Sequence, residues 1–384
     1  MDKIDEVLSR GIVNIIPSKS KLEDLLKSKK KLNIYFGVDP TATHIHIGNA
    51  VGLRKLQQFI ELGHNVIFLI GDFTALIGDN SDKETERPVL TYEQIQENFK
   101  NYKEQAEKVL DFSKVKVVHN SEWLKKLSFE DIIKLSQHFS FGEIASRELV
   151  AKRLKEGKHV GLHEALYPVM QGYDSWYMDT DIQIGGADQT FNMQAGRILQ
   201  KDLRNKESYV LVTGYLEGTD GRKMSKSWGN AIWLDDTPAD MFGKVMSVKD
   251  ELLITYFTLA TNLSGNEIEE KEKRLKDGEN PMMLKRELAF RIVEELHSKK
   301  DAEKAQENFE KTFQDRKPEY EDEIENMGII IDSLEEIVGS KSEVKRLIKQ
   351  GGIDVNGEKI TDTNFKLKSG DKINLGKRRF LKVV

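Results

Sequence analysis

Residues 34–49 of the chain read IYFGVDPTATHIHIGN, and this stretch decides the fold. It begins with a short apolar run at residues 34–38, of the kind that is buried in parallel sheets. Apolar residues then recur at helical spacing over residues 51–62, and a second apolar run follows at residues 66–70. Further strands are predicted at residues 115–119, 182–184 and 209–213. This order predicts a doubly wound, Rossmann-like parallel α/β sheet.

Three regions of the chain differ in their predicted secondary structure. Residues 1–232 contain the predicted parallel sheet, interrupted by a mostly helical insertion at about residues 91–165. Residues 233–325 are rich in charge and in leucine and isoleucine, which predicts a separate α-helical domain. Residues 330–384 are predicted to form a small α+β domain, in which Asn356-Gly357 turns a β-hairpin.

The composition excludes several kinds of protein. The chain has 384 residues, 38% of them hydrophobic and 32% charged, which is sufficient for two or three domains with buried cores. It contains no cysteine, so disulfides, thiolate zinc sites and cysteine nucleophiles are excluded. The sequence contains no stretch apolar enough to span a bilayer, and its first residues do not resemble a signal peptide. We therefore expect a cytoplasmic protein with no membrane partner.

The charge of the chain is unevenly distributed. Residues 341–384 contain twelve lysines and arginines against five acidic residues, a local charge of +7. The preceding 340 residues contain 47 basic and 59 acidic residues, a charge of −12. A basic tail on an acidic body indicates contact with nucleic acid through the tail. A solvated, lysine-rich surface is the alternative interpretation of this charge.

The loop after the first predicted strand has the features of a phosphate site. The sequence contains neither a P-loop pattern nor GxGxxG, so the common phosphate-binding loops are absent. Residues 37–49 lie where open α/β sheets bind ligands, and helix N-termini attract phosphates. Gly48 would let an adenine lie against the backbone, while Thr41 and His46 could donate hydrogen bonds to phosphate oxygens. An ordinary strand–turn–helix loop with a structural histidine is the alternative.

A second candidate site lies at residues 218–229, a loop with glycine at both ends that we call the flap. Its Lys223-Met224-Ser225-Lys226-Ser227 segment offers two ammonium groups. They suit the charge that builds up on a polyphosphate in a transition state, and such a loop can close over a substrate. The alternative is a pair of solvated lysines beside a packed methionine. Together the two candidate sites indicate ATP-dependent nucleotidyl transfer.

With these two motifs the chain resembles the class I aminoacyl-tRNA synthetases, whose paired signatures are HIGH and KMSKS. Within that class it is similar to the bacterial tyrosyl-tRNA synthetases. The likeness covers nearly the whole length and includes GDFTALIGD at residues 71–79, YPVMQGYD at 167–174 and IGGADQ at 184–189. The second histidine of HIGH is Asn49 in this chain. A second protonated imidazole therefore takes no part in the chemistry, although an amide can still donate to phosphate.

The resemblance implies a tyrosine--tRNA ligase activity in two steps. Tyrosine and ATP give tyrosyl-adenylate and pyrophosphate, and the tyrosyl group then passes to the 3′-terminal ribose of tRNA(Tyr). ATP is thus a substrate that brings Mg²⁺ with it, and no metal bound by the protein itself is expected. The resemblance also implies a homodimer, anticodon binding by residues 233–325, and an RNA-binding domain of the ribosomal protein S-four type at residues 330–384.

One predicted helix face suits a small polar aromatic substrate. Tyr167, Gln171 and Asp174 recur at i, i+4 and i+7 around a helix-starting Pro168, so they share a face. With Tyr35 at the end of the first strand, they can line a pocket. The alternative is that these tyrosines are ordinary interior aromatics, and a tryptophan pocket is the rival within the same class of enzyme.

The resemblance assigns a role to each polar residue of the site. Tyr35 and Asp174 would hold the phenolic hydroxyl of tyrosine. The α-ammonium group would contact Asp79, Tyr167 and Gln171, with Gln189 supporting the same pocket. ATP would contact Asp39, Thr41, His46, Gly48, Asn49, Gly186, Asp188 and Lys226. The catalytic groups would be Thr41, His46, Lys223 and Lys226.

Four basic residues of the tail fall largely along one face of a predicted helix and could follow RNA phosphates. They are Lys341, Lys345, Arg346 and Lys349. An RNA-binding protein that kept a synthetase fold without its activity is the alternative from a different class of function. The signature lysines, His46 and the polar pocket residues argue against that alternative.

Overall fold

The computed structural model describes residues 2–41, 43–78, 91–225, 228–313, 322–376 and 379–384. Contacts divide the chain into two compact units. One consists of residues 1–235 and 248–284, and the other of residues 236–247 and 285–384. The limits of the three domains remain a prediction. None of the helices in the described ranges has the length and apolarity needed to cross a membrane.

The first unit is built around a six-stranded sheet with the order β1-β6-β5-β2-β3-β4. Its strands are β1 (Ile12–Ile16), β2 (Asn33–Val38), β3 (Asn65–Ile70), β4 (Val115–His119), β5 (Ile182–Gly186) and β6 (Tyr209–Thr213). Strands β2 to β6 are parallel to one another, and β1 pairs antiparallel with β6. The predicted doubly wound parallel α/β sheet is confirmed. The edge strand β1 is additional to the five predicted strands.

Helices connect and follow these strands. In chain order they are α1 (Lys3–Ser9), α2 (Lys19–Lys27), α3 (Ile47–Glu61), α4 (Tyr92–Ala106), α5 (Ser121–Leu124), α6 (Phe129–Ser136), α7 (Phe141–Ala145), α8 (Glu148–Lys155), α9 (Leu162–Tyr177), α10 (Thr190–Arg204), α11 (Pro238–Met246), α12 (Leu253–Ala260) and α13 (Gly265–Lys276). Of these, α11 belongs to the second unit. Helices α4 to α8, with β4 among them, account for the predicted helical insertion. The prediction that Pro168 starts a helix is wrong, because α9 begins at Leu162 and Pro168 lies inside it, although Tyr167, Gln171 and Asp174 are all on this helix.

The core of the first unit lies around the central strands. Strand β3 is buried at every position after Asn65, as expected for a parallel strand covered on both faces. The fully buried Phe68 packs edge to face on Phe112, with ring centroids 5.5 Å apart. Helix α3 contributes the buried Phe59 and ends just before Gly63, whose φ of 85° is left-handed. The helix that the spacing of residues 51–62 predicts is therefore confirmed.

The strand order fixes where a ligand can bind. Strands β2 and β5 are neighbours, and the sheet grows away from them through β3 and β4 on one side and through β6 on the other. Open α/β sheets bind ligands at such a switch point, outside the carboxyl ends of the strands. Because β2 ends at Val38 and β5 ends at Gly186, the residues after these two positions flank the crevice.

The second unit combines helices with a five-stranded sheet of order β7-β11-β10-β8-β9. Its strands are β7 (Asp322–Ile324), β8 (Ile353–Val355), β9 (Glu358–Lys359), β10 (Lys372–Leu375) and β11 (Arg379–Val383), and the remaining helices are α14 (Pro281–Leu296), α15 (Lys299–Phe313), α16 (Ile330–Val338) and α17 (Lys341–Lys349). Strands β8 and β9 pair around Asn356-Gly357, whose φ angles of 55° and 87° fit a type I′ turn. The predicted hairpin and small α+β fold are confirmed. Residues 233–325 are largely helical as predicted, but residues 248–284 belong to the first unit, so these helices do not form one separate unit.

Candidate active site

The crevice at the ends of β2 and β5 opens into a cavity of about 500 Å³. The predicted active-site residues that the structure describes all line it: Tyr35, Asp39, Thr41, His46, Gly48, Asn49, Tyr167, Gln171, Asp174, Gly186, Asp188, Gln189 and Lys223. They come from β2, the start of α3, α9, the turn after β5 and the flap. The predicted Asp79 and Lys226 lie outside the described residues.

A capping box holds the junction of β2 and α3. His46 is the N-cap of α3, and its Nδ1 accepts a hydrogen bond from the backbone N–H of Asn49 at 3.2 Å. The Asn49 Oδ1 accepts one in return from the backbone N–H of His46, also at 3.2 Å. An amide oxygen is always available as an acceptor, whereas a histidine ring accepts only through an unprotonated nitrogen. Asn49, in place of the second histidine of HIGH, therefore fixes the orientation of His46.

Gly48 keeps room at the start of α3. A Cβ atom at this position would lie 3.0 Å from His46 Nδ1 and 3.4 Å from the Leu216 carbonyl oxygen. A side chain would therefore press on the imidazole and narrow the cavity. The missing side chain leaves the helix N-terminus, where the positive end of the helix dipole lies, open to a ligand.

His46 is neutral at physiological pH. Burial, and then the positive charge of Lys223, lower the pKa of His46 to about 4. Because Nδ1 accepts from Asn49, the ring proton of the neutral imidazole is on Nε2. His46 can therefore donate one hydrogen bond to an anionic ligand without a change in its own charge.

The chain after the flap is tied to the same helix start. The backbone N–H of Ile47 donates to the Ile232 carbonyl oxygen at 2.9 Å, and that of Leu234 donates to the Ile45 carbonyl oxygen at 2.8 Å. The rings of His46 and Trp233 lie 5.8 Å apart. The segment that follows the flap is therefore hydrogen-bonded to the helix start that carries His46.

A buried asparagine anchors the flap. Asn230 is 3% exposed, and its Nδ2 donates to Asp220 Oδ1 at 2.8 Å and to the Lys223 carbonyl oxygen at 3.1 Å. Its Oδ1 accepts from the backbone N–H of Ser225 at 2.9 Å. Between the two anchored residues, Met224 is buried and lines the cavity, so it is a packing residue. Asn230 thus holds the backbone that carries Lys223.

Asp174 on α9 is a buried carboxylate that is 2% exposed. It accepts hydrogen bonds from Trp123 Nε1 at 2.6 Å and from Asn120 Nδ2 at 3.1 Å. Burial outweighs these two donors and raises the pKa of Asp174 to about 8. The group is therefore largely protonated at neutral pH, and a buried carboxylic acid can both donate and accept a hydrogen bond, so the site favours a ligand with a hydroxyl group.

Tyr35 completes this end of the cavity. It is 3% exposed, and its hydroxyl donates to Gln183 Oε1 at 3.2 Å. Burial, and then the negative charge of Asp174, raise the pKa of Tyr35 above its ordinary value. The phenol therefore stays neutral, and the cavity ends in an acid beside a phenol.

Asp39 connects this end of the cavity with the other. Its Oδ2 accepts from the Tyr167 hydroxyl at 2.8 Å, and its Oδ1 accepts from the Thr74 hydroxyl at 2.8 Å. Asn120 Nδ2 donates to Thr74 Oγ1 at 3.0 Å as well as to Asp174. A continuous chain of hydrogen bonds therefore joins the carboxylate after β2 to the carboxylate on α9.

The turn after β5 supplies another carboxylate. Asp188 accepts from Gln189 Nε2 at 3.1 Å, and Gln189 Oε1 accepts from Asn192 Nδ2 at 3.2 Å. A Cβ atom on Gly186 would lie 2.6 Å from Asp188 Oδ1, so a side chain there would displace the carboxylate. Gln189 is thus bonded to Asp188, and its support of a tyrosine pocket stays a prediction.

The hydrogen-bond network that joins Asp39 to Asp174 includes three side chains that were not among the predicted site residues. They are Thr74, Asn120 and Trp123. Thr74 and Asn120 lie just beyond the ends of β3 and β4, at the same edge of the sheet as Asp39. That position is a signal that identifies them from the sequence. Trp123 carries no such signal, because only the fold brings its indole to Asp174.

No metal centre is found among the residues that the structure describes. In these ranges, no group of three or more histidine, aspartate or glutamate side chains is arranged to hold a metal ion. The cavity carboxylates Asp39, Asp174 and Asp188 instead accept the hydrogen bonds described above.

The predicted RNA-binding residues lie on α17 and differ in their ion pairs. Lys341 pairs with acidic side chains of α16, and Arg346 pairs with Glu343 on its own helix. Lys345 and Lys349 are exposed, and neither forms an ion pair within the described ranges. The opposite face of α17 is packed in the apolar core of the small sheet. Two of the four cations are therefore available to an anionic partner.

The chain matches two family models. Residues 27–314 match the tRNA synthetases of class I (W and Y), and residues 336–373 match the S4 domain. The first match covers the cavity and the flap. The second covers α17 and the hairpin of β8 and β9.

Relatives match over nearly the whole length of the chain. The tyrosine--tRNA ligase of Carboxydothermus hydrogenoformans is 44% identical over 99% of this chain and 97% of its own. That of Thermotoga maritima is 42% identical over 98% of this chain and 96% of its own. Among solved structures, a C-terminally truncated mitochondrial tyrosyl-tRNA synthetase from Aspergillus nidulans has a TM-score of 0.67 and 21% identity, covering 81% of this chain and 94% of that one. The last likeness shows a shared fold.

Proposed function

The chain belongs to the bacterial tyrosyl-tRNA synthetases of class I, and from this premise we propose how its residues carry out the reaction. It is a tyrosine--tRNA ligase, which forms tyrosyl-adenylate from tyrosine and ATP and then transfers the tyrosyl group to the 3′-terminal ribose of tRNA(Tyr). One observation carries the assignment of the site: a single cavity joins a buried acid–phenol pair to a helix N-terminus.

The phenolic hydroxyl of tyrosine is proposed to bind between Asp174 and Tyr35. Phenylalanine lacks this hydroxyl, so it would leave buried polar groups without a partner, at a cost of about 1–3 kcal/mol each. ATP–pyrophosphate exchange with tyrosine, phenylalanine and tryptophan in turn tests the assignment. We expect exchange to be fastest with tyrosine at equal concentration, and faster exchange with tryptophan would contradict this pocket.

The polar end of tyrosine is proposed to lie beside the nucleotide. Its α-ammonium group would contact Tyr167, Gln171 and Asp79, with Gln189 in support. The Tyr167 hydroxyl is bonded to Asp39, which supports a site where the amino acid meets the nucleotide. ATP would contact Asp39, Thr41, His46, Gly48, Asn49, Gly186, Asp188 and Lys226.

Adenylate formation is proposed to depend on alignment and charge. The tyrosine carboxylate is ionised at neutral pH, so its oxygen attacks the α-phosphorus directly, while the bond to the bridging oxygen breaks and pyrophosphate leaves. Thr41 and the neutral His46 would donate hydrogen bonds to phosphate oxygens. Lys223 and Lys226 would stabilise the negative charge of the departing pyrophosphate. ATP would enter as its Mg²⁺ complex.

The domain limits follow from the same premise. We propose that residues 1–232 form the catalytic domain, that residues 233–325 bind the anticodon region, and that residues 330–384 form an RNA-binding domain. Helices α14 and α15 and the S4 match support the second and third parts, whereas α12 and α13 belong to the unit that holds the parallel sheet. In the tail, Lys345 and Lys349 would contact RNA phosphates directly, whereas Lys341 and Arg346 would first have to leave their acidic partners.

Replacing Lys345 and Lys349 together by alanine is expected to weaken tRNA(Tyr) binding. Two phosphate contacts would be lost, so the slope of log affinity against log salt concentration should fall by about 2. Filter binding at several salt concentrations measures the slope. The matched control is the double variant Lys341→Ala with Arg346→Ala, whose slope should change less. Equal slopes in wild type and the first variant would refute the assignment.

A cytoplasmic homodimer is proposed as the functional state. Phe141 on α7, Leu154 on α8 and Leu162 at the start of α9 are each at least half exposed, and they line one apolar cavity of about 150 Å³. Apolar side chains gathered in this way typically mark a protein interface, and we propose that a second copy of the chain covers them.

A charge at the centre of this surface should separate the subunits. Leu162 is 75% exposed, so Leu162→Asp should leave the fold intact while halving the mass in sedimentation velocity. Val13→Asp, at another exposed aliphatic position, is the control and should leave the mass unchanged. A dimer in Leu162→Asp, or a monomer in wild type, would show that this surface is not the interface.

A further inference from the structure

Asp72 is a buried carboxylate beside the active site that the proposed chemistry does not use. It follows β3, is 0% exposed and is not among the residues that line the cavity. Its Oδ1 accepts from the backbone N–H of Ser121 at 3.0 Å, and its Oδ2 accepts from the Ser121 hydroxyl at 2.7 Å. His119 Nδ1 lies 3.4 Å from the same Oδ2. Asp72 therefore ties the end of β3 to the residues around the end of β4.

The segment that Asp72 holds carries both side chains that donate hydrogen bonds to Asp174. Asn120 lies directly before Ser121, and its Nδ2 donates to Asp174 Oδ2 at 3.1 Å. Trp123 lies two residues after Ser121, and its Nε1 donates to Asp174 Oδ1 at 2.6 Å. The backbone hydrogen bond from Ser121 to Asp72 thus falls between the two groups that orient the carboxylate of α9.

Asp72 is well suited to hold a fixed position. Burial opposes its ionisation, but hydrogen bonds from His119 and Ser121 outweigh burial, and the pKa of Asp72 lies below its ordinary value. A fully buried carboxylate that is ionised is stable only while its hydrogen bonds are kept. Any movement of Ser121 would break two of them, so the segment has little freedom.

We propose that Asp72 is a positioning residue for substrate selection: through Ser121 it fixes Asn120 and Trp123, and so aims Asp174 at the phenolic hydroxyl of tyrosine. This inference rests on the proposed binding of that hydroxyl by Asp174. Phenylalanine has no hydroxyl that Asp174 could bind, so displacing Asp174 should weaken the binding of tyrosine alone. A cluster that only stabilised the fold would affect both amino acids equally.

The test measures tyrosine and phenylalanine separately in ATP–pyrophosphate exchange. Asp72→Asn weakens both hydrogen bonds between Asp72 and Ser121, and it should raise KM for tyrosine about tenfold. Ser121→Ala removes only the bond from the Ser121 hydroxyl, and it should raise KM for tyrosine about threefold. In both variants kcat should stay within about threefold of wild type, and kcat/KM for phenylalanine should stay within about twofold, because the chemistry is untouched. Selectivity for tyrosine therefore falls by the same factors.

A matched pair of residues lies at the opposite end of β4. Asp111 Oδ1 accepts from the backbone N–H of Ser113 at 3.1 Å and from its hydroxyl at 2.5 Å, so the same two serine groups bond an aspartate, here two residues away and not buried. Asp111→Asn and Ser113→Ala should leave tyrosine selectivity unchanged. Thermal denaturation of all four variants shows whether each is folded. If Asp72→Asn does not fold, Ser121→Ala tests the positioning role of Asp72.

Two failures can be told apart. Unchanged selectivity in a folded Asp72→Asn protein, or in Ser121→Ala if Asp72→Asn does not fold, overturns the positioning role. Equal losses with tyrosine and phenylalanine overturn it as well. Asp174→Ala is measured alongside: if that variant also keeps its selectivity, the binding of the hydroxyl by Asp174 is itself wrong.

Discussion

Replacement of Asp174 by alanine is expected to lower kcat/KM for tyrosine in ATP–pyrophosphate exchange by about a hundredfold. The bound hydroxyl loses a hydrogen bond to a buried acid whose pKa is about 8, a neutral partner at pH 7, worth about 0.5–1.5 kcal/mol. It also stays buried without another partner, which costs about 1–3 kcal/mol. Each 1.4 kcal/mol is about a factor of ten, so the sum gives the expected loss. The carboxylate is 2% exposed, and water cannot readily replace it.

Phenylalanine provides the internal comparison for this variant. Because it makes no hydrogen bond to Asp174, its slow exchange should change little, and the preference for tyrosine should largely disappear. Asp202→Ala removes a partly exposed aspartate of α10, which pairs with His138, and should leave both rates unaltered. Near-normal tyrosine exchange by a folded Asp174→Ala protein would rule out the proposed pocket.

Lys223→Ala is expected to reduce kcat for adenylate formation by about a hundredfold while KM for tyrosine stays within about threefold, because a preorganised charge acts mainly in the transition state. The variant has a second readout. Lys223 lowers the pKa of His46, so removing its positive charge should raise that pKa, as followed by NMR titration of the ring. Burial persists in the variant, so the pKa should still lie below the ordinary value for histidine.

A lysine that reaches the flap without entering the cavity serves as the control. The Nζ atom of Lys249 lies 3.2 Å from where a Cβ atom on Gly221 would be, and Lys249 pairs with Glu251. Lys249→Ala should leave both kcat and the His46 titration unchanged. If Lys223→Ala weakened tyrosine binding as much as turnover, a role in the transition state would be excluded.

The sheet and its binding edge could be predicted because they depend on local patterns. The apolar runs of β2 and β3, the helical spacing between them and the Asn356-Gly357 turn each fix a local structure that the fold preserves. The predicted strands also fixed which edge carries the ligand, since parallel strands end on the same side. The edge strand β1 escaped prediction because Asn14 interrupts a run of only five residues.

The contacts inside the site could not be predicted, because they join residues that are distant in the sequence. No spacing relates Trp123 to Asp174, or Asp72 to Ser121, until β3, β4 and α9 are packed together. The role of Asn49 was hidden for a different reason. Its place in the HIGH motif suggests that it binds phosphate, and only the geometry reveals its capping box with His46.

The backbone pairing between residues 45–47 and 232–234 couples the chain that leaves the flap to the start of α3. Two hydrogen bonds join these segments, and the ring of Trp233, which lies between the two bonded residues, is 5.8 Å from that of His46. A displacement of residues 232–234 would therefore be transmitted to the backbone of His46 through the main chain.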